Sequence, residues 1–217
     1  MICEITDKML DELRIRVRRY VNEKTYGHIL AVEREAASLA ALYIPDKIKE
    51  ARAAALLHDI TKNESAEKQL KYIKEFDIIT DVDPLSPKLY HAKTAAALIP
   101  RDFPEYNTTE IVNAVKWHTT GYDGMTLLES VVYLADYIED TRTYDDCVQL
   151  RRYFYEGLAE TKNDKDKKFH LYKTMVKSFD YTMSILIREN ALIDNYTVSA
   201  RNYFLRIIKN NDLEIRI

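Results

Sequence analysis

The chain has 217 residues, 47% of them hydrophobic and 31% charged, with a formal net charge of −3. That length is enough for a sizeable core, and the weak negative charge gives no global field for nucleic acid, so no nucleic-acid partner is expected. Gly27, Gly121, Gly124 and Gly157 are too scattered for a P-loop or a dinucleotide-binding fingerprint, each of which clusters glycines at a strand-to-helix turn. Any phosphate must therefore be bound by a metal, by side chains or by helix N-termini.

Cys3 and Cys147 have neither metal-ligand spacing nor a disulfide framework, which points to a reducing compartment. Glu4, Asp7, Asp11 and Glu12 leave no apolar segment for a signal peptide. No apolar run is long enough to span a membrane. The expected address is the cytoplasm, with no membrane partner.

Taken in order, nearly everything reads as helix. Met9, Leu10, Leu13, Val17 and Val21 recur at helical spacing over residues 6–22, and Gly27 reads as a stop or turn. A second helix is expected over residues 28–43. Pro45 opens a third, which runs through Ala53, Ala54, Ala55, Leu56 and Leu57 into His58 and Asp59. After the polar turn at residues 62–65 an amphipathic helix ends near Phe76. A loop with Pro84 and Pro87 as breakers follows.

Ser86 and Pro87 then start a helix over residues 88–99 that carries His91 and is broken by Pro100 and Pro104. Thr108 or Thr109 caps the next helix, which ends in His118, Thr119, Thr120 and Gly121. Thr126 and Glu129 form a capping box for the helix that bears Asp136. Residues 144–177 are aromatic and charged, with a solvated run at residues 162–168. Two last helices are expected over residues 175–189 and 197–209. Strand alternation is absent, so the expected class is all-α.

The chemistry-bearing residues sit on the apolar helices. His58 and Asp59 follow five residues that favour burial, and Asp136 lies between Leu134, Ala135, Tyr137 and Ile138. A buried carboxylate is too costly unless it is paired or bound to a cation. The alternatives for each residue alone are a capped helix end at Asp59 and a salt bridge, with Arg142 for instance, at Asp136. His28, His58, His91 and His118, placed with Asp59 and Asp136 in this way, favour one shared site. His170, among Lys168, Phe169 and Tyr172, reads as a surface residue. Tyr133 and Tyr137 could stack on a base, but tyrosine in helices is more often core.

The order His28, His58-Asp59, Asp136 resembles the HD-domain metal-dependent phosphohydrolases. The stretches 56–62 (LLHDITK), 117–121 (WHTTG), 125–129 (MTLLE) and 133–142 (YLADYIEDTR) are similar to the YqeK family, HD-domain hydrolases that cleave diadenosine tetraphosphate symmetrically into two ADP. The resemblance covers residues 25–142 and returns at residues 197–202. It implies an HD-domain helical bundle with a metal site in the core. The expected organisation is a single domain over residues 1–217, with the HD core at about 25–142 and a C-terminal helical extension over 143–217, part of which looks like an insertion.

The resemblance places a divalent metal on His28, His58, Asp59 and Asp136. Iron is expected, with manganese or another transition metal as alternatives. The metal would activate water and draw charge from a phosphoryl oxygen, with Asp59 orienting the water. His91 and His118 would bond the substrate phosphates, one of them protonating the leaving group, or would instead hold a second metal. Lys62 would neutralise phosphate charge. Arg142 would clamp a phosphate or serve as a cation at a helix C-terminus.

Thr25 and Thr119 would line the pocket, and Thr197, Arg201 and Asn202 would touch the nucleotide unless they form only a helix start and a solvated face. The expected partner is a dinucleoside polyphosphate or ADP-like nucleotide. The C-terminal aromatic residues could support a dimer, which the sequence leaves open. Alternatives are an HD phosphohydrolase of another nucleotide (a 5′-nucleotidase or an alarmone hydrolase) and a non-catalytic nucleotide-sensing helical module.

Overall fold

A computed structural model describes residues 4–79 and 86–214, with side chains to residue 210. The Pro84 breaker and Cys3 lie outside the described residues. The protein is all-α. Its helices are α1 Asp7–Val17, α2 Glu23–Tyr43, α3 Ile48–Leu57, α4 Ala66–Glu75, α5 Tyr90–Asp102, α6 Thr109–Trp117, α7 Leu127–Ile138, α8 Asp145–Ala159, α9 Asp164–Arg188 and α10 Asn195–Glu214. No strand occurs among the described residues. The chain forms two compact units, residues 1–119 with 126–139, and residues 120–125 with 140–217.

The first unit is built around α3. Ala51, Ala53, Ala54, Ala55, Leu56 and Leu57 are all fully buried, as befits a helix that is apolar on nearly every side. Its alanines let neighbours approach closely, and α3 packs against α1, α2, α5, α6 and α7. Helix starts follow local chemistry. The side chains of Thr6, Asn22, Ser65 and Thr108 accept from backbone N–H groups in the first turns of α1, α2, α4 and α6. Thr126 and Glu129 complete the expected capping box on α7.

Several boundaries differ from the sequence expectation. Helix α1 stops at Val17 instead of reaching residue 22, because Asn22 is committed to capping α2, where it accepts from the Thr25 N–H at 2.9 Å. Gly27 is not a stop; α2 runs through it. An interior glycine costs only about 1 kcal/mol, less than burial of Ile29, Val32, Ala36 and Leu39 returns. Pro100 does not break α5, which continues to Asp102. So close to the helix end, its missing N–H forfeits a single bond.

In the second unit α9 packs against both α8 and α10. Residues 162–168 are not merely a solvated run. Asn163 accepts from the Asp166 N–H at 2.9 Å and starts α9, with Asp164 and Asp166 favourably placed at its positive end. Gly121 has φ +62°, and a Cβ there would lie 2.8 Å from Phe179 and 2.9 Å from the Met125 sulfur. Both backbone sign and packing therefore require glycine.

His170 is buried, with 8% exposure, and so is not the surface residue its charged neighbours suggest. Its Nε2 lies 2.9 Å from the Phe154 carbonyl, its ring stacks on Phe154, and burial pushes its imidazole below the ordinary histidine range. Gly157 makes the room, since a Cβ there would stand 2.3 Å from the ring. Gly157→Ala is expected to destabilise the protein by about 1–3 kcal/mol through overpacking, read as a lower urea midpoint for unfolding.

Candidate metal centre

Five helices of the first unit deliver the site. His28 comes from α2. His58 is the C-cap of α3, and Asp59 follows it. His91 lies in the first turn of α5, His118 is the C-cap of α6, and Asp136 is in the last turn of α7. The C-terminal ends of α3, α6 and α7 thus meet here, and helix C-termini carry partial negative charge that favours a cation.

The distances form two groups that share Asp59. On one side, Asp59 Oδ2 lies 3.5 Å from His58 Nε2 and 3.8 Å from His28 Nε2, while Asp136 Oδ1 lies 2.9 Å from His28 Nε2 and 3.7 Å from His58 Nε2. On the other, Asp59 Oδ1 lies 3.2 Å from His91 Nε2 and 3.5 Å from His118 Nε2, and those two nitrogens are 3.2 Å apart. Three donor sets, His28–His58–Asp59, His58–His118–Asp136 and Asp59–His91–His118, each bring their ligand atoms within 4.8 Å of one another.

Backbone carbonyls decide the tautomers. The Nδ1 atoms of His58, His91 and His118 lie 2.6, 2.8 and 2.7 Å from the carbonyls of Ala55, Lys88 and Val115. A carbonyl only accepts, so each Nδ1 carries the proton and each neutral ring turns a bare lone pair at Nε2 toward the centre. Burial pushes the His91 imidazole down to about 3, with Lys62 and His118 adding to the effect, and burial also lowers His118. A carboxylate and converging lone pairs are acceptors, and among the described residues His58 Nε2 and Asp59 Oδ1 have no hydrogen-bond partner. A mixed nitrogen and oxygen donor set of this kind fits a divalent cation.

Lys62 stands at the rim, 44% exposed, with Nζ 3.0 Å from His91 Nε2 and 3.6 Å from Asp59 Oδ1. Thr25 lies in the first turn of α2, one turn before His28. The Thr119 hydroxyl, next to His118, is buried without a hydrogen-bond partner among the described residues. The remaining expected substrate contacts belong to the second unit. There the Arg142 carbonyl accepts from Arg151, and Thr197 is buried on α10. Arg201 pairs with Asp180 at 2.5 Å, and Asn202 Oδ1 accepts from Arg201. Tyr133 is buried in the first unit's core, its ring 6.5 Å from that of Tyr137.

The HD domain family model matches residues 25–141, more than half of the chain. This is an HD-domain protein. The matched HD segment contains all six residues of the cluster. Three relatives named as symmetrical bis(5′-nucleosyl)-tetraphosphatases are similar over most of their length. The Bacillus subtilis protein is 32% identical over 174 residues, 80% of this chain and 86% of that one. The Staphylococcus aureus protein is 29% identical over 182 residues, 84% and 87% of the two chains. The Halalkalibacterium halodurans protein is 29% identical over 189 residues, 87% and 93%. A crystal structure from Clostridium acetobutylicum, described as a predicted HD superfamily hydrolase involved in NAD metabolism, is also similar. It has a TM-score of 0.74 and 28% identity, and the match covers 90% of this chain and 96% of that one.

Two contacts around the HD cluster were not foreseen as functional. Glu139, within the motif at residues 133–142, places Oε1 3.0 Å from His28 Nδ1. The Thr61 hydroxyl, 2.9 Å from the His91 carbonyl and 2.8 Å from the Thr94 hydroxyl, ties the HD segment to the first turn of α5. Thr61 beside Asp59 was visible in the sequence, but its partner 30 residues away was not. Thr61→Val, which keeps the shape and removes the hydroxyl, is expected to cost about 1–3 kcal/mol, measured by denaturant unfolding of the metal-free protein.

Proposed function

We propose that this HD-domain protein is a metal-dependent hydrolase that cleaves diadenosine tetraphosphate symmetrically into two ADP. The observation that carries the metal requirement is the convergence of imidazole lone pairs on the buried Asp59 carboxylate. The names of the three relatives supply the substrate and the symmetrical register.

In this reading His28, His58, Asp59 and Asp136 hold the cation, for which iron is the first choice and manganese the next. A divalent cation there supplies Lewis acidity toward a phosphoryl oxygen and toward attacking water. Asp59, spanning both donor groups, orients that water. Lys62 lies beside the centre on the exposed side, where its charge offsets charge developing on the phosphate chain. His91 and His118 face the phosphate and are fixed by their Nδ1 bonds. One of them would relay to the departing ADP the proton that the attacking water gives up, taking it up at Nε2 because Nδ1 is held by a backbone carbonyl.

Thr25 and Thr119 of the first unit are assigned to gripping one ADP moiety, and Arg142, Thr197, Arg201 and Asn202 of the second unit are each proposed as nucleotide contacts. Symmetrical cleavage needs such a grip, because the retained half fixes which phosphorus meets the attacking water. Two cysteines without ligand or disulfide spacing fit a reducing compartment, and we place the enzyme in the cytoplasm.

The decisive experiment incubates the protein, loaded anaerobically with iron(II), with diadenosine tetraphosphate and separates the nucleotides. ADP as the sole product is the expected result, abolished by chelator and restored by added iron(II) or manganese(II). ATP with AMP would overturn the symmetrical register, and an intact substrate peak would overturn the substrate assignment in favour of another nucleotide or a sensing role.

The grouping of His91 and His118 with Asp59 Oδ1 favours a second reading in which they hold a second cation. Equilibrium dialysis with manganese(II) separates the two. One ion per chain is expected for histidines that bond phosphate, and two per chain would move His91 and His118 into the ligand set.

A further inference from the structure

The four histidines of the cluster do not solve the same problem in the same way. His58, His91 and His118 each direct Nδ1 to the carbonyl three residues earlier on the chain, a bond available within their own turn of helix. His28 does not. Its Nδ1 meets a carboxylate oxygen from another helix, Glu139 Oε1 at 3.0 Å. Glu139 is the C-cap of α7, with φ −56° and ψ 152°, at the point where the chain turns out of the helix. Its N–H still bonds to the Ala135 carbonyl at 3.0 Å, so the backbone holding the side chain is itself fixed. The residue is fully buried.

A buried carboxylate is costly unless something nearby compensates its charge. Glu139 Oε1 faces the His28 imidazole, and the residue lies three positions beyond Asp136 at the end of α7. A carboxylate accepts and cannot donate, so Nδ1 of His28 carries the proton and Nε2 is turned, unprotonated, toward Asp136 and Asp59. The charge behind the ring also makes Nε2 a stronger electron donor than a carbonyl partner would.

We infer that Glu139 is a positioning residue that orients His28 and strengthens it as a ligand, making His28 the most electron-rich imidazole of the cluster. The inference rests on the reading of His28 as a metal ligand. Glu139 touches neither substrate nor metal in this account; it acts through His28 alone. One short segment of α7 then supplies Asp136 as a ligand and Glu139 as the support for another ligand, so the end of α7 couples α2 to the centre.

The test measures zinc(II) affinity by chelator competition in wild type, Glu139→Gln, His28→Gln and the double variant, with the thermal midpoint of each metal-free protein recorded in parallel. Glu139→Gln keeps size and an acceptor oxygen but removes the charge. It is expected to weaken zinc(II) binding about 10-fold or more, with a metal-free thermal midpoint close to wild type. In the His28→Gln background the same substitution is expected to add nothing.

Wild-type affinity in Glu139→Gln, while His28→Gln binds weakly, would overturn the inference and leave the ligand reading intact. Unchanged affinity in His28→Gln would overturn the ligand reading and the inference with it. Equal, additive losses from Glu139→Gln with and without His28 would show that Glu139 does not act through that ring. A readout that needs no variant is the tautomer of His28 in zinc(II)-loaded wild type, from nitrogen-15 NMR of the ring. Protonated Nδ1 is expected, and coordination through Nδ1 would overturn the inference even if Glu139→Gln failed to fold.

Discussion

The first unit is arranged around one costly feature, the Asp59 carboxyl group with 3% exposure among imidazole lone pairs. Every element around it serves to keep acceptors facing acceptors. Three helix carbonyls lock the tautomers of His58, His91 and His118, and the fully buried alanines of α3 let α2, α6 and α7 come near enough to supply the rest. A bulkier α3 would satisfy hydrophobic burial equally well but would move the donor atoms apart. Misplacement by about an ångström is enough to cost a site much of its activity.

A second buried carboxylate in the same unit shows what the ordinary solution looks like. Glu33, 4% exposed, receives Arg14 through Nε at 2.8 Å and Nη2 at 2.6 Å, and Arg52 through Nε at 3.0 Å. Guanidinium groups supply both charge and fixed donors, so Glu33 is complete within the protein. Asp59 is instead surrounded mainly by imidazole nitrogens aimed lone pair first, with the Lys62 ammonium standing further off at 3.6 Å. The same burial cost is met by donors in one place and left for a cation in the other. Burial alone therefore does not mark the site; the direction in which the neighbours' protons point does.

Much of this was legible in the sequence because it rests on local rules. The caps at Thr108, Thr126 and Ser65, the apolar run into His58-Asp59 and the carboxylate at position 136 are all short-range signals, and the structure brings His28, His58, Asp59, His91, His118 and Asp136 into one cluster. The failures share a cause. Gly27 and Pro100 look like breaks until the burial of the surrounding helix is weighed against one unfavourable residue. His170 looks solvated until Gly157, thirteen residues away, is seen to leave space for its ring. Glu139 and Thr61 carry no signal by themselves, because each acquires its role from a partner on another helix, His28 in one case and the His91 carbonyl in the other. Residue type and local spacing predict who can act; who supports them is tertiary information.

The electrostatics also bear on how a chain of net charge −3 could work on a polyphosphate. A centre built from carboxylates, helix C-termini and lone pairs repels phosphate as it stands. On the proposed reading the cation reverses that local sign, and Lys62 extends the positive region outward from Asp59 toward solvent. The attraction would then be confined to the neighbourhood of the donor cluster. Exposed charges further away would be screened over a Debye length of about 8 Å at physiological salt. A broad basic surface would hold any polyanion; a short-ranged positive centre in an otherwise acidic chain holds phosphate only where it can be cleaved.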